Sequence, residues 1–195
     1  MKKGTIIAIV VVAIVVMYSV ITYNSMVSRE EGVSKAWAQV ENVYQRRADL
    51  VPQLVNTVKG AADFERKTLE SVIEARAKAT SVQFTADELT EENIAKFQKA
   101  QDQLGSSLGR MLATIERYPE LKATQNFQDL QTQLEGTENR IATERQKFND
   151  VVQKYNAYIR HFPVNIFAGM FGFDKKAYFT ASEGADKAPE VNFEF

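Results

Sequence analysis

The chain has 195 residues, with 24 Lys and Arg against 25 Asp and Glu, one histidine and no cysteine, for a formal charge of −1. So even a balance offers nucleic acid no electrostatic footprint and anionic lipid no polybasic patch. The lack of cysteine excludes a lipid-modified cysteine and any thiolate zinc set.

Lys2 and Lys3 belong to a short basic N-terminus, residues 1–4, ahead of an uncharged run from Thr5 to Tyr23 (TIIAIVVVAIVVMYSVITY). As a helix these nineteen residues rise roughly 28 Å, close to the ~30 Å hydrocarbon core of a bilayer. Thr5, Ile9, Ile14 and Tyr23 accordingly mark an expected transmembrane anchor, residues 5–23. A cleavable signal peptide is the rival reading, but its apolar core is only ~7–15 residues long and is followed by a small-x-small site. Here Tyr23-Asn24-Ser25-Met26-Val27 puts bulky side chains where a peptidase needs alanine. A core helix would need a domain able to cover isoleucine and valine on every face. Lys2 and Lys3 favour a cytoplasmic N-terminus with the rest of the chain outside, while Arg29 and Lys35 on the far side argue the other way.

The 172 residues beyond Tyr23 suit one domain. Residues 24–162 read as long amphipathic segments. In the first, Val33, Trp37, Val40, Tyr44, Val51, Leu54 and Val58 alternate steps of three and four, with Arg47 filling the gap after Tyr44. Such spacing draws a narrow apolar seam, as in bundles and coiled coils. The register survives Pro52, which predicts a kink rather than an end. It continues through Ala61, Glu65, Leu69, Val72, Arg76 and Ala79. One helix over residues 27–80 would extend roughly 80 Å, against about 48 Å for the next segment. Two readings are therefore open: a projecting stalk, or a break with Gly60 as the stop and Asp63 as the new N-cap.

A second segment, Asp87 to Tyr118, opens on a capping-box pattern at Thr85-Ala86-Asp87-Glu88. Its seam is Ile94, Phe97, Gln101, Leu104, Leu108, Met111, Ile115 and Tyr118, and Pro119 forces a boundary. The third, Glu120 to Phe162, repeats the spacing through Phe127, Leu130, Leu134, Ile141, Phe148, Val152, Tyr155 and Ile159 until Pro163 ends it. Residues 163–195 differ. From Phe162 onward lie seven of the twelve phenylalanines. Val164 to Gly172 is expected to be a short apolar helix lidding the open end of the bundle, with membrane or partner contact as the alternative. Val191, Phe193 and Phe195 alternate with polar residues and could add as a strand to a partner's sheet or dock on the bundle itself.

Longer motifs sit on these segments. Tyr23-Asn24 leads to V-x-x-A-W-A-Q-V-E-N-x-Y-Q-R-R from Val33, then D-L-V-P-x-L-V-N-T-V-K-G from Asp49 and E-A-R-x-K-A from Glu74. A second set is Tyr155-Asn156, Phe162-Pro163, Ala168, Gly172-Phe173 and Tyr178-Phe179. On these motifs essentially the whole chain closely resembles the LemA family of bacterial membrane proteins. The resemblance implies an all-α fold, an N-terminal transmembrane helix followed by an antiparallel four-helix bundle and a short irregular C-terminal tail. That favours the broken first segment. It also implies a bacterial membrane and no established enzymatic activity; the expected location is the inner membrane, and the charges of Lys2 and Lys3 lean the bundle to the exterior or periplasmic side.

The residues carry no recognisable catalytic set. His161, beside Arg160 and Pro163, reads as a helix-end cation meeting the dipole. No nucleophile elbow, P-loop or dinucleotide fingerprint is present. Carboxylates such as Glu41, Glu70, Glu74 and Glu138 are plentiful, but no Glu-x-x-His pair suits a di-iron bundle. Trp37 lies about 21 Å beyond Tyr23 along a straight helix, too far for the headgroup belt, so it reads as packing. Arg47, Glu65 and Gln101 stand at seam positions that ask for apolar side chains. They are candidates for a buried pair that fixes register, for a partner contact, or for side chains that snorkel to water.

The expected function is a membrane-anchored, non-enzymatic scaffold or adaptor of the cell envelope. It would contact the lipid bilayer through its anchor and act by forming a homo-oligomer or binding a membrane protein partner, without cofactor or nucleic acid. Alternatives are an enzyme or metal-binding protein with an unrecognised carboxylate site, and a lipid-binding bundle.

Overall fold

The computed structural model describes residues 3–59 and 64–180, and over them the chain is all-helical. Helix α1 spans Lys3–Val58, α2 Arg66–Ser81, α3 Glu91–Ile115, α4 Pro119–Lys122, α5 Gln125–Arg160 and α6 Val164–Phe171.

Helix α1 runs 56 residues without interruption, about 84 Å. Its first part is exposed throughout: Ile9, Ile14 and their apolar neighbours meet no other part of the chain, and Thr5 is exposed as well. Burial begins at Thr22 and Met26 and then follows the seam through Val33, Trp37, Val40, Tyr44, Arg47, Val51, Leu54 and Val58. Pro52 lies inside the helix, which continues past it. Proline lacks the N–H that would bond the carbonyl of Ala48 one turn back. Arg76 of α2 supplies the donor instead, its Nε 2.7 Å from that oxygen. The orphaned carbonyl is thus satisfied from a neighbouring helix.

The first segment breaks, since α1 ends at Val58 and α2 begins at Arg66 with Glu65 in the capping position. Gly60 and Asp63 lie outside the described residues. The seam expected to run unbroken through Glu65 does not, because the break resets the helical phase and leaves Glu65 exposed. The capping box at Thr85 and Glu88 forms, but on a 3₁₀ turn, Ala86–Glu88. Helix α3 has its own cap, the Thr90 hydroxyl accepting from the Asn93 N–H at 3.2 Å. The third segment also divides. Pro119 opens α4, and Thr124 caps α5 by accepting from the Phe127 N–H. Local hydroxyl capping thus cuts a segment whose apolar spacing alone reads as continuous.

Two buried clusters fill the body. The one nearer the apolar run holds Trp37, Tyr44, Phe97, Phe148, Tyr155 and Phe179, among others. The other, toward the α1–α2 break, is mainly aliphatic, with Leu50, Leu54, Val58, Val72, Leu104 and Met111. Helix α6 forms as expected, and Gly172 ends it in a left-handed conformation at φ 76° that favours glycine. The helix packs beside α1 where the apolar run enters the body, with Phe167 against Tyr18 and Phe171 against Tyr23.

Candidate functional site: a buried polar layer and an asparagine-held strap

Arg47 is 4 % exposed and lies between the two clusters. Its Nη1 donates to Glu138 Oε1 at 2.9 Å. Its Nη2 donates to the side-chain and main-chain oxygens of Gln101, each at 2.8 Å. Gln101 Nε2 in turn donates to the carbonyl of Ala79 at 3.2 Å. One guanidinium therefore ties α1 to α3 and α5, and Gln101 adds α2. On each helix the polar residue stands at the boundary between clusters: Arg47 between Tyr44 and Leu50, Gln101 between Phe97 and Leu104, Glu138 between Leu134 and Ile141. The guanidinium also lies over the Tyr44 ring at 5.0 Å. Arg47 Nε is buried with no hydrogen-bond partner among the described residues.

A half-exposed Glu138 weakens the Coulombic gain, and burying the cation costs desolvation. Sliding any one of these helices by a turn would leave a buried charge unpaired. Sequence placed Arg47 and Gln101 on seams of different helices, and the structure brings them together. Glu65 stays apart, at the edge of α2, 3.2 Å from the Thr68 hydroxyl and 3.9 Å from Arg117.

The second construction is an extended strap following α6. Asn156 on α5 donates through Nδ2 to the Lys176 carbonyl at 2.8 Å and accepts from the Lys176 N–H at 3.0 Å. Asn149 does the same to Phe179, at 2.9 Å in both directions. Each asparagine imitates one rung of a sheet ladder, and the two stand on one face of α5 because they are seven residues apart. The Ala177 N–H reaches the Leu89 carbonyl at 2.9 Å. Lys176 is buried and paired with Glu30 of α1 at 2.9 Å. Phe179 stacks on Trp37 at 6.0 Å, and the Trp37 indole N–H donates to the Phe84 carbonyl. Burial, followed by the nearby Glu30, raises the Tyr155 phenol well above its ordinary range. Burial likewise raises the carboxyl of Glu41 and the phenol of Tyr44.

The family model described as LemA family matches residues 36–193. This chain belongs to the LemA family. Among similar proteins, magnetosome protein MamQ 2 of Paramagnetospirillum magneticum is 25 % identical, over 94 % of this chain and 76 % of its own length. Magnetosome protein MamQ of Magnetospirillum gryphiswaldense is 25 % identical over 84 % of this chain and 66 % of its own. Protein LemA of Metamycoplasma hominis is 22 % identical over 82 % and 69 %. The matched span of this LemA-family chain takes in the polar layer, both asparagines and the strap.

The other singled-out residues have plainer surroundings. Glu74 pairs with Lys78 at 2.8 Å, one turn on. His161 caps the end of α5 and is exposed. An open polar groove of about 820 Å³ lies between α2 and α3, with Ser71 and Ser107 at its floor. Among the described residues no three acidic or histidine side chains converge where a metal ion could be held. Val191, Phe193 and Phe195 lie outside the described residues. Sequence reasoning passed over Asn149, and it met Asn156 only as part of a motif. Their signal was the seven-residue spacing on a polar line beside the α5 seam.

Proposed function

We propose that the protein is a single-pass, non-enzymatic scaffold of the bacterial inner membrane. A four-helix bundle, on the exterior or periplasmic side, would assemble with further copies or with a membrane protein partner. The observation that carries this reading is the continuity of α1. Its exposed apolar part has no water-soluble account, since contiguous apolar surface of that extent marks an interaction site or a membrane. The same helix then becomes the central wall of the body, so the body is held at a fixed distance and angle from the bilayer. Arg47 and Gln101 serve alignment in this reading, and partners are met by the outer faces of the helices.

In-membrane crosslinking of the full-length protein with mass-spectrometric identification tests it, alongside a deletion of Val191–Phe195. Crosslinks to itself or to one membrane protein, weakened by the deletion or by charge reversals on the bundle surface, are the expected result. A clean monomer without partner sinks the scaffold reading.

A further inference from the structure

The surroundings of α6 contain an unresolved mismatch with a span that simply ends at Tyr23. Tyr18 meets Phe167 with ring centroids 5.8 Å apart, and Tyr23 meets Phe171 and Phe173 at 5.2 and 5.7 Å. Tyr18 lies five residues inside the uncharged run, so α6 reaches roughly 7.5 Å back along it. Were α6 kept wholly in water, the span would have to stop before Tyr18. Residues 5–17 would then be left, roughly 20 Å of helix for a ~30 Å hydrocarbon core.

The outward face of α6 removes the mismatch. Val164 and Ala168 are buried against the body, while Phe162, Ile166 and Met170 point away from it, at 81, 52 and 72 % exposure. Ile166 and Met170 lie four residues apart on one face of α6, and Phe162 precedes the helix on the turn that leads into it. No charge occurs between Phe162 and Phe173, and Arg160 on one side and Asp174-Lys175 on the other bracket the run. Beside this face, Phe167 and Phe171 of the same helix meet Tyr18 and Tyr23 of the apolar run.

We propose that α6 is an interfacial membrane element: its Ile166–Met170 face, with Phe162 on the turn before it, lies in the outer few ångströms of the same leaflet that α1 leaves. The inference rests on the reading of α1 as a membrane anchor. The depth agrees with the general behaviour of interfacial helices, which sink about 5–10 Å into the headgroup–acyl boundary. Tyr18 and Tyr23 then occupy the level where tyrosine is favoured, with an apolar ring and a wet hydroxyl. The bracketing charges stop deeper insertion. The body is thereby held to the bilayer at two points, α1 and α6, instead of standing on one.

The absence of cysteine makes site-directed spin labelling direct. Full-length Ile14→Cys, Ile166→Cys, Met170→Cys and Asp129→Cys variants, each nitroxide-labelled, are reconstituted in vesicles of phosphatidylethanolamine with phosphatidylglycerol. Accessibility to oxygen, which concentrates in lipid, is compared with accessibility to a water-soluble nickel chelate. The expected result is an oxygen-to-nickel ratio several-fold higher at Ile14→Cys, Ile166→Cys and Met170→Cys than at Asp129→Cys, an exposed distal site. A high ratio at Ile14→Cys with aqueous values at both α6 sites overturns the inference and leaves the anchor intact. An aqueous value at Ile14→Cys fails the anchor reading and the inference with it. Spin–spin broadening at the α6 sites that vanishes on dilution with unlabelled protein assigns that face to a second copy and also overturns it.

Discussion

The two halves of the body are walled differently. In the distal half, α1, α2, α3 and α5 all contribute buried residues, and the filling is mainly aliphatic: Leu54, Val58, Val72, Leu104, Met111 and Leu130, with Phe127 beside them. In the half near the apolar run α2 has already ended at Ser81, and no α2 residue is in the core. The stretch with Phe84 and Leu89 and the strap with Ala177 and Phe179 stand where α2 would be. An extended strap offers one inward side chain every second residue, so it needs large ones. Hence the aromatic cluster, in which Trp37 is within 6.0 Å of the rings of Phe97, Phe148 and Phe179. A missing helical wall is replaced here by backbone held on asparagines plus aromatic volume.

The largest expected effect tests that replacement. Trp37→Ala is expected to cost about 3–5 kcal/mol in urea unfolding. It should also raise amide exchange at Lys176 and Phe179 well beyond the loss of global stability. Leu54→Ala is expected to cost about 2–5 kcal/mol, with those amides changing only as the whole molecule does. Equal behaviour of the strap in both variants would mean that the halves are one cooperative core.

Between the halves, Arg47→Ala is expected to cost about 3 kcal/mol, because buried Gln101 loses its donor and the packing of the Arg47 stem is lost as well. The variant that replaces the whole layer, Arg47→Met with Gln101→Leu and Glu138→Leu, should be close to neutral in stability. If this triple variant is as damaged as the alanine one, the layer contributes energy rather than alignment.

A smaller effect concerns Pro52. Arg76→Ala is expected to destabilise by about 1–3 kcal/mol, since the Ala48 carbonyl loses its donor. In a Pro52→Ala background the helix supplies that bond itself, and the cost should shrink markedly. A double-mutant cycle measures the difference, and full additivity would disprove the compensation.

The gentlest probe is alkaline pH. The folded state keeps protons on Tyr44 and Tyr155 longer than the unfolded chain does, because burial raises both phenols. Folded protein then binds more protons than unfolded above the ordinary tyrosine value of about 10. Stability is complete below that pH and falls as pH rises through it. Tyr44→Phe and Tyr155→Phe should each flatten the fall measured by chemical denaturation.

Much of this was legible. Three- and four-residue spacing found most of the buried side chains on α1, α3 and α5, though not Ala48, Leu50, Val55, Gln98 or Ala100 beside the seams, and it exposed Arg47 and Gln101 as interruptions that had to meet something. What spacing could not reveal was where a helix restarts. Glu65 kept the count but not the phase, and Thr90 and Thr124 made local caps stronger than the continuity around them. The strap was hidden for another reason. Asn149 and Asn156 act through main-chain atoms of a segment with no periodicity, so neither partner signals the other. The tie from Arg76 to Ala48 becomes readable only once α2 is known to turn back along α1.

The uninterrupted course of α1 makes it a lever. No loop separates Tyr23 from Met26, the first fully enclosed apolar residue, so orientation passes from one end to the other without slack. Adding one residue at Asn24 or Ser25 would rotate everything beyond by about 100° and carry α6 off its tyrosines. With the apolar run in a bilayer, a tilt of about 10° swings Val58, roughly 52 Å further on, by about 9 Å. For a run that spans a bilayer, thickness would thereby be converted into aim: whatever leans the span would steer the far end of the molecule.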